Sequence, residues 1–234
     1  MTGIFVIIAI SWLLLYLIEK QHILVLGFLP LAKRFKQFLS GFLITAILCA
    51  LTEFLESFLR SSDWIINETI SNGVVLKSFL WDFNSVVTEE LIFRGAMLYI
   101  LIHRIGPQKR ILISSIAFGI YHWFSFGIFG NVMAMSLVFI GTALMGCAWA
   151  LAFAKTTSIM LPIGLHLGWN SVYNTIFSKG PLGPMVLIQK GGSELTNWAS
   201  FLNFISGMVI VPIIVLIYVK YFVRNELKVG IKTA

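Results

Sequence analysis

Apolar residues run along this chain in long blocks separated by short polar breaks. Blocks near 20 residues are too long for strands and match what a membrane-crossing helix needs. The pattern predicts seven helices, over 4–18, 39–58, 80–103, 110–128, 132–154, 158–177 and 201–220. The expected fold class is therefore all-α, a polytopic transmembrane helical bundle of about seven spans, with residues 1–234 as a single membrane-embedded domain. The first block, Met1 to Ile18, has no basic leading region and no small-residue cleavage site behind it. It is expected to be a retained span rather than a secretory signal. Ser178 to Ser200 is rich in Gly and Pro around a short apolar patch, Met185 to Ile188, and reads as a surface linker or a flap over an outer opening.

Composition supports the membrane reading. Only 12% of the residues are charged and 58% are hydrophobic, whereas a soluble domain carries about 25% charged residues. The net charge of +7 does not cluster as a nucleic-acid face would. Lys20, Lys33, Arg34, Lys36, Arg104, Lys109, Arg110 and Lys155 fall in alternate loops, and Lys220, Arg224, Lys228 and Lys232 form the tail. The rule that places Lys and Arg in cytoplasmic loops then puts the N-terminus outside and the C-terminus in the cytoplasm. Cys49 and Cys147 lie far apart inside apolar blocks and read as small core residues. His22 and His103 sit at span ends beside basic residues and read as interfacial.

What a greasy chain does not explain is charge inside its spans, which costs about 2.5–3.5 kcal/mol per group on insertion scales. The third span holds Glu89, Glu90 and Arg94, the fourth His122, and the sixth His166 and Asn170. Glu53 and Glu56 mark the outer end of the second. Glu90 and Arg94 are four apart with the acid first, the favourable order for a helical ion pair. Glu89 is turned about 100° from Glu90 around the helix, so it is left to face something else. A carboxylate without a cation beside it in low dielectric is suited to proton exchange. Phe118 with His122, and His166 with Asn170, share helix faces, and Asn174 extends the second stripe. At about 1.5 Å per residue the four polar groups lie roughly 12–22 Å into the bilayer from the cytoplasmic ends of their spans, close enough in depth to meet.

A carboxylate and an imidazole can hold a water and take its proton, while a second imidazole and an amide donate to the oxyanion formed on an attacked carbonyl. Two His and one carboxylate (Glu89, His122, His166) could instead bind zinc with water in the fourth place. The residues alone leave both open. Other intramembrane signatures are missing. There is no H-E-x-x-H pair and no G-x-S-G, and Asp63 and Asp82 fall outside the expected span interiors, which removes a two-aspartate mechanism.

The motifs resemble a known family. Glu89-Glu90-Leu-Ile-Phe-Arg94 looks like E-E-x-x-x-R, Phe118-Gly-Ile-Tyr-His122 like F-x-x-x-H, and His166-Leu-Gly-Trp-Asn170 like H-x-x-x-N. These are the motifs, in order, of the CPBP intramembrane proteases, which include the Rce1-type CAAX prenyl proteases and the Abi and bacteriocin-processing proteins. The motif core spans 84–177. The resemblance implies an endopeptidase in which Glu89 and His122 activate water and His166 and Asn170 form the oxyanion hole. Glu90, Arg94 and Phe118 would be supporting residues. It implies no required cofactor, since the oxyanion role occupies His166 and Asn170, with zinc as the alternative. The expected partner is a membrane-associated protein or peptide substrate in a bacterial or archaeal cell membrane, and no nucleic acid. A bacterial setting favours bacteriocin-related or other peptide processing over prenylated substrates. Two other functions fit the same spans. One is a non-catalytic immunity or scaffold protein. The other is a proton-coupled transporter using Glu89 and His122 as a relay, which the lack of an internal repeat disfavours.

Overall fold

A computed structural model describes residues 2–226, without the side chains of Thr2, Ile102, His103 and Pro107. Lys228 and Lys232 of the basic tail, and the side chain of His103, lie outside the described residues. Among the described residues seven helical rods form, matching the number the apolar pattern predicts. α1 (Thr2–Glu19) and α2 (Leu31–Arg60) are followed by a rod in which α3 (Asn72–Glu90) passes through a π-helical turn, Leu91–Gly95, into α4 (Ala96–Ile105). α5 (Pro107–Ser125) and α6 (Val132–Thr156) come next. α7 (Met160–Asn170) continues as a π turn over Ser171–Ile176. The last rod joins α8 (Asn197–Ile205) to α9 (Val211–Ile217).

Two rods begin earlier than the apolar pattern predicts, because polar first turns belong to them. α2 starts at Leu31 rather than at residue 39. Its Arg34 is buried, with its guanidinium donating to the Leu29 and Thr156 carbonyls, both at 3.1 Å. α3 starts at Asn72 rather than at residue 80, where the Ser71 hydroxyl accepts from the Val74 N–H as an N-cap. Asp82, at the very start of the expected helix and outside its interior, therefore lies well inside α3 and is fully buried.

Three of the helices are long and apolar enough to cross a membrane: Leu31–Arg60, Val132–Thr156 and Asn197–Phe222. The site helices α3, α5 and α7 carry the polar residues that dilute their apolar character, and these three rods flank them. α7 lies parallel to α2 at very close range. A Cβ on Gly164 would sit on the Phe38 carbonyl oxygen, and one on Gly168 on the Phe42 carbonyl oxygen. From the other side, a Cβ on Gly41 would lie 2.9 Å from the Leu161 carbonyl oxygen. Small residues four apart let helix backbones approach in a membrane, where packing rather than the hydrophobic effect drives association.

The all-α expectation needs one addition. β1 (Ser62–Ile66) pairs antiparallel with β2 (Leu187–Gly191), with Trp64 opposite Gln189. The segment expected as a linker or flap is thus fastened to the end of α2. Lys179 adds a second tie, reaching Glu56 at 3.0 Å and Glu53 at 3.7 Å. Pairing of segments some 120 residues apart left no local signal: each is five residues long, and β2 sits in a Gly- and Pro-rich stretch.

Candidate active site

The site is built where α3 and α7 run antiparallel, with α5 and α6 closing its back. Glu90 and Arg94 lie at the junction where α3 turns π-helical, and both are fully buried. Arg94 Nη1 donates to Glu90 Oε1 at 3.0 Å. The rest of the guanidinium is wrapped by protein. Nη2 donates to the Gly146 carbonyl at 3.3 Å, and the group stacks 4.2 Å over Phe118 and 5.1 Å over Trp149. A Cβ on Gly146 would come within 3.1 Å of Nη2 and 3.2 Å of the Phe118 ring, so one of these groups would have to shift. Pairing, a hydrogen bond and two aromatic faces lower the cost of burying this cation.

Glu90 has a second partner that spacing along one helix could not show. His166 Nδ1 lies 2.9 Å from Glu90 Oε1, across the α3–α7 interface. A carboxylate can only accept, so Nδ1 carries the proton and Nε2 is the free end of the ring. That end faces Glu89, with Nε2 4.0 Å from Glu89 Oε2. Glu89 Oε1 accepts from Ser85 at 3.1 Å, while Oε2 is buried without a hydrogen-bond partner. The two adjacent acids thus divide as their helix positions predict. Glu90 points into the charged core, and Glu89 presents an uncommitted oxygen beside an uncommitted imidazole nitrogen.

His122 is positioned by its own helix. Its Nδ1 lies 2.7 Å from the Phe118 carbonyl, one turn back on α5. A carbonyl accepts only, so this bond also fixes the proton on Nδ1 and leaves Nε2 free. Phe118 connects the two imidazoles, with ring centroids 4.4 Å from His122 and 6.0 Å from His166. Trp149 of α6 stacks on His166 at 4.0 Å and an interplanar angle of 19°. Its residue type blends into an apolar span, where nothing in the sequence singles it out.

Asn170 lies one helical turn beyond His166 and is half-buried. Among the described residues no side-chain hydrogen bond fixes it to the cluster. Directly after it α7 becomes π-helical, as α3 does directly after Glu90. Turns of this kind recur at functional sites because the extra residue re-aims the side chains around it.

Among the described residues no three His, Cys, Asp or Glu side chains come together as a metal-ligating group.

Residues 71–172 match a family model described as type II CAAX prenyl endopeptidase Rce1-like. Comparison with curated proteins and with solved structures gave no match. The matched stretch opens at the N-cap of α3 and closes just past Asn170, so it contains all three motifs. Residues 71–172, the part of this helical membrane protein that builds the buried Glu, Arg and His cluster, are thus similar to the Rce1-like family of proteases.

Proposed function

We propose that this protein is an intramembrane endopeptidase that hydrolyses peptide bonds of membrane-associated proteins or peptides. The observation that carries the reading is the buried, unpartnered Glu89 Oε2, 4.0 Å from the free nitrogen of a histidine whose other nitrogen is held by a second carboxylate. Two such atoms are too far apart for a direct hydrogen bond, yet a water about 2.8 Å from each bridges them.

In the hydrolytic step Glu89 takes a proton from that water while its oxygen bonds to the peptide carbonyl carbon. The carbonyl π pair moves onto oxygen. His122, whose bond to Phe118 leaves Nε2 as an acceptor, would share the water proton with Glu89. His166 enters the step already protonated, an imidazolium stabilised by Glu90 on Nδ1 as the buried acid of a catalytic triad does, and it neither gains nor loses a proton in it. The Nε2–H of that imidazolium and the Asn170 amide then donate to the oxyanion. Each such donor contributes about 3–4 kcal/mol in a well-placed site. Collapse of the intermediate reforms the carbonyl, breaks the C–N bond and delivers the Glu89 proton to the leaving amine. No cofactor enters these steps. The basic end of the bundle faces the cytoplasm of a bacterial or archaeal cell on this reading, with the N-terminus outside.

Purified protein in detergent, incubated with a quenched-fluorescent peptide library, tests the assignment. Glu89→Gln keeps size and hydrogen bonding while removing the base, and the rate is expected to fall at least about a hundredfold, the lower end of what a general base contributes. A rate that survives in Glu89→Gln sinks Glu89 as the base. Loss of the wild-type rate with a chelator, restored by zinc, replaces the metal-free scheme.

A further inference from the structure

One buried acid has no part in these steps. Asp82 lies on α3 two turns before Glu89 and is completely buried. Among the described residues no Lys, Arg or His lies within ion-pair distance of it. Its partners all come from the π turn that ends α7. Asn174 Nδ2 donates to Oδ1 at 2.6 Å, and Thr175 Oγ1 donates to Oδ2 at 3.2 Å. Ser78, one turn earlier on α3, lies 2.7 Å from the same Thr175 hydroxyl. Burying a carboxylate without a cation is costly unless its lone pairs are filled, and here both oxygens are filled by one facing helix.

The spacing gives this group a role. Asp82 and Glu90 are eight residues apart on α3, and Asn174 and His166 are eight apart on α7. The two bonds, Glu90 to His166 and Asp82 to Asn174, are rungs of one antiparallel ladder, about 12 Å apart at 1.5 Å per residue. Glu89 and Asn170 lie on the stretch between the rungs, and the π turn of α7 begins inside it and carries the second rung. A single rung lets α7 rotate or slide about one point. Two rungs fix both, and with them the 4.0 Å separation of His166 Nε2 from Glu89 Oε2. We infer that Asp82 is a positioning residue for the reaction. It clamps the π turn of α7 to α3 so that His166 and Asn170 are held in register with Glu89.

This inference rests on the peptidase reading for its consequence in rate, but the clamp itself has a readout independent of it. Asp82→Asn removes the charge-assisted bonds without changing size. Asp82→Asn with Asn174→Asp exchanges acid and amide across the rung and restores an acid–amide pair. In the single variant kcat is expected to fall between about tenfold and a hundredfold with KM unchanged, the scale of a small misplacement of catalytic groups. The melting temperature should stay at or above wild type, because a buried charge without a counter-cation is removed. The exchange variant should return kcat to within about threefold of wild type on the same reasoning.

The ¹⁵N resonance of His166 Nδ1, assigned with His166→Gln in detergent-solubilised full-length protein, should move in the single variant and return in the exchange. An unchanged kcat and resonance in Asp82→Asn overturns the inference. So does a lost rate that the exchange fails to restore, since the carboxylate would then act from position 82 itself. If the wild type cleaves no peptide but the resonance moves and returns as described, the clamp stands and the peptidase reading falls.

Discussion

Glu90 serves two cations-in-waiting with one oxygen. Arg94 donates to Oε1 from one turn ahead and His166 from the facing helix, at 3.0 and 2.9 Å. Its neighbour Glu89 has only Ser85, and keeps an oxygen uncommitted. Two acids adjacent in sequence therefore carry opposite duties, and substitution separates them. Glu90→Gln can still accept from both donors but leaves Arg94 buried without its counter-charge. Removing one member of a buried pair costs about 3–5 kcal/mol, so the variant is expected to melt well below wild type. Glu89→Gln leaves the Glu90–Arg94 pair in place and should melt close to wild type while losing the rate. Thermal melts of both in one detergent decide the point. Equal melting temperatures would show that Glu90 is not the counter-charge. The Glu90–Arg94 pair was legible from spacing within a helix. The Glu90–His166 bond was not, because it depends on how two helices far apart in sequence are registered.

At the scale of elements, α7 is defined by what it lacks. Gly164 and Gly168 carry no side chain where Phe38 and Phe42 of α2 approach. That contact sets the height of α7, and His166 sits between the two glycines. Gly168→Val is expected to force the helices apart, at about 1–3 kcal/mol for overpacking, and to reduce activity as His166 moves. Gly207→Val is the control, since a Cβ there meets nothing within 4 Å. A variant Gly168→Val that melts and cleaves like wild type would mean α7 is positioned by its rungs to α3 alone. The apolar blocks foretold that seven helices exist, because burial in lipid writes a long unbroken signal. They did not foretell that two site helices turn π-helical, or that β1 meets β2. A one-residue change in helical winding alters no composition, and a five-residue strand in a polar loop has no periodicity to find.

Across the whole molecule charge is sorted by end. Lys20, Lys33, Arg34, Lys36, Arg104, Lys109, Arg110, Lys155, Lys220 and Arg224 lie at the end where α1 finishes and α2 begins. The tail is tied into that end. Glu226 pairs with Lys33 at 2.8 Å and Arg34 at 3.2 Å, and Lys155 Nζ donates to the Val219 and Lys220 carbonyls. The sheet end holds only Arg60, Lys77, Lys179 and Lys190, among Glu53, Glu56, Asp63, Glu68 and Glu194. Arg60 and Lys179 there are engaged with acids, Arg60 with Glu56 at 2.6 Å. Orientation follows the Lys and Arg bias of short loops, so the sheet end is expected outside. In a background with Cys49 and Cys147 replaced by Ser, Glu194→Cys at the exposed sheet end should react with a membrane-impermeant maleimide on intact cells. Gln108→Cys, exposed at the basic end, should react only after lysis. The reverse labelling would place the sheet and the clamp of α7 in the cytoplasm.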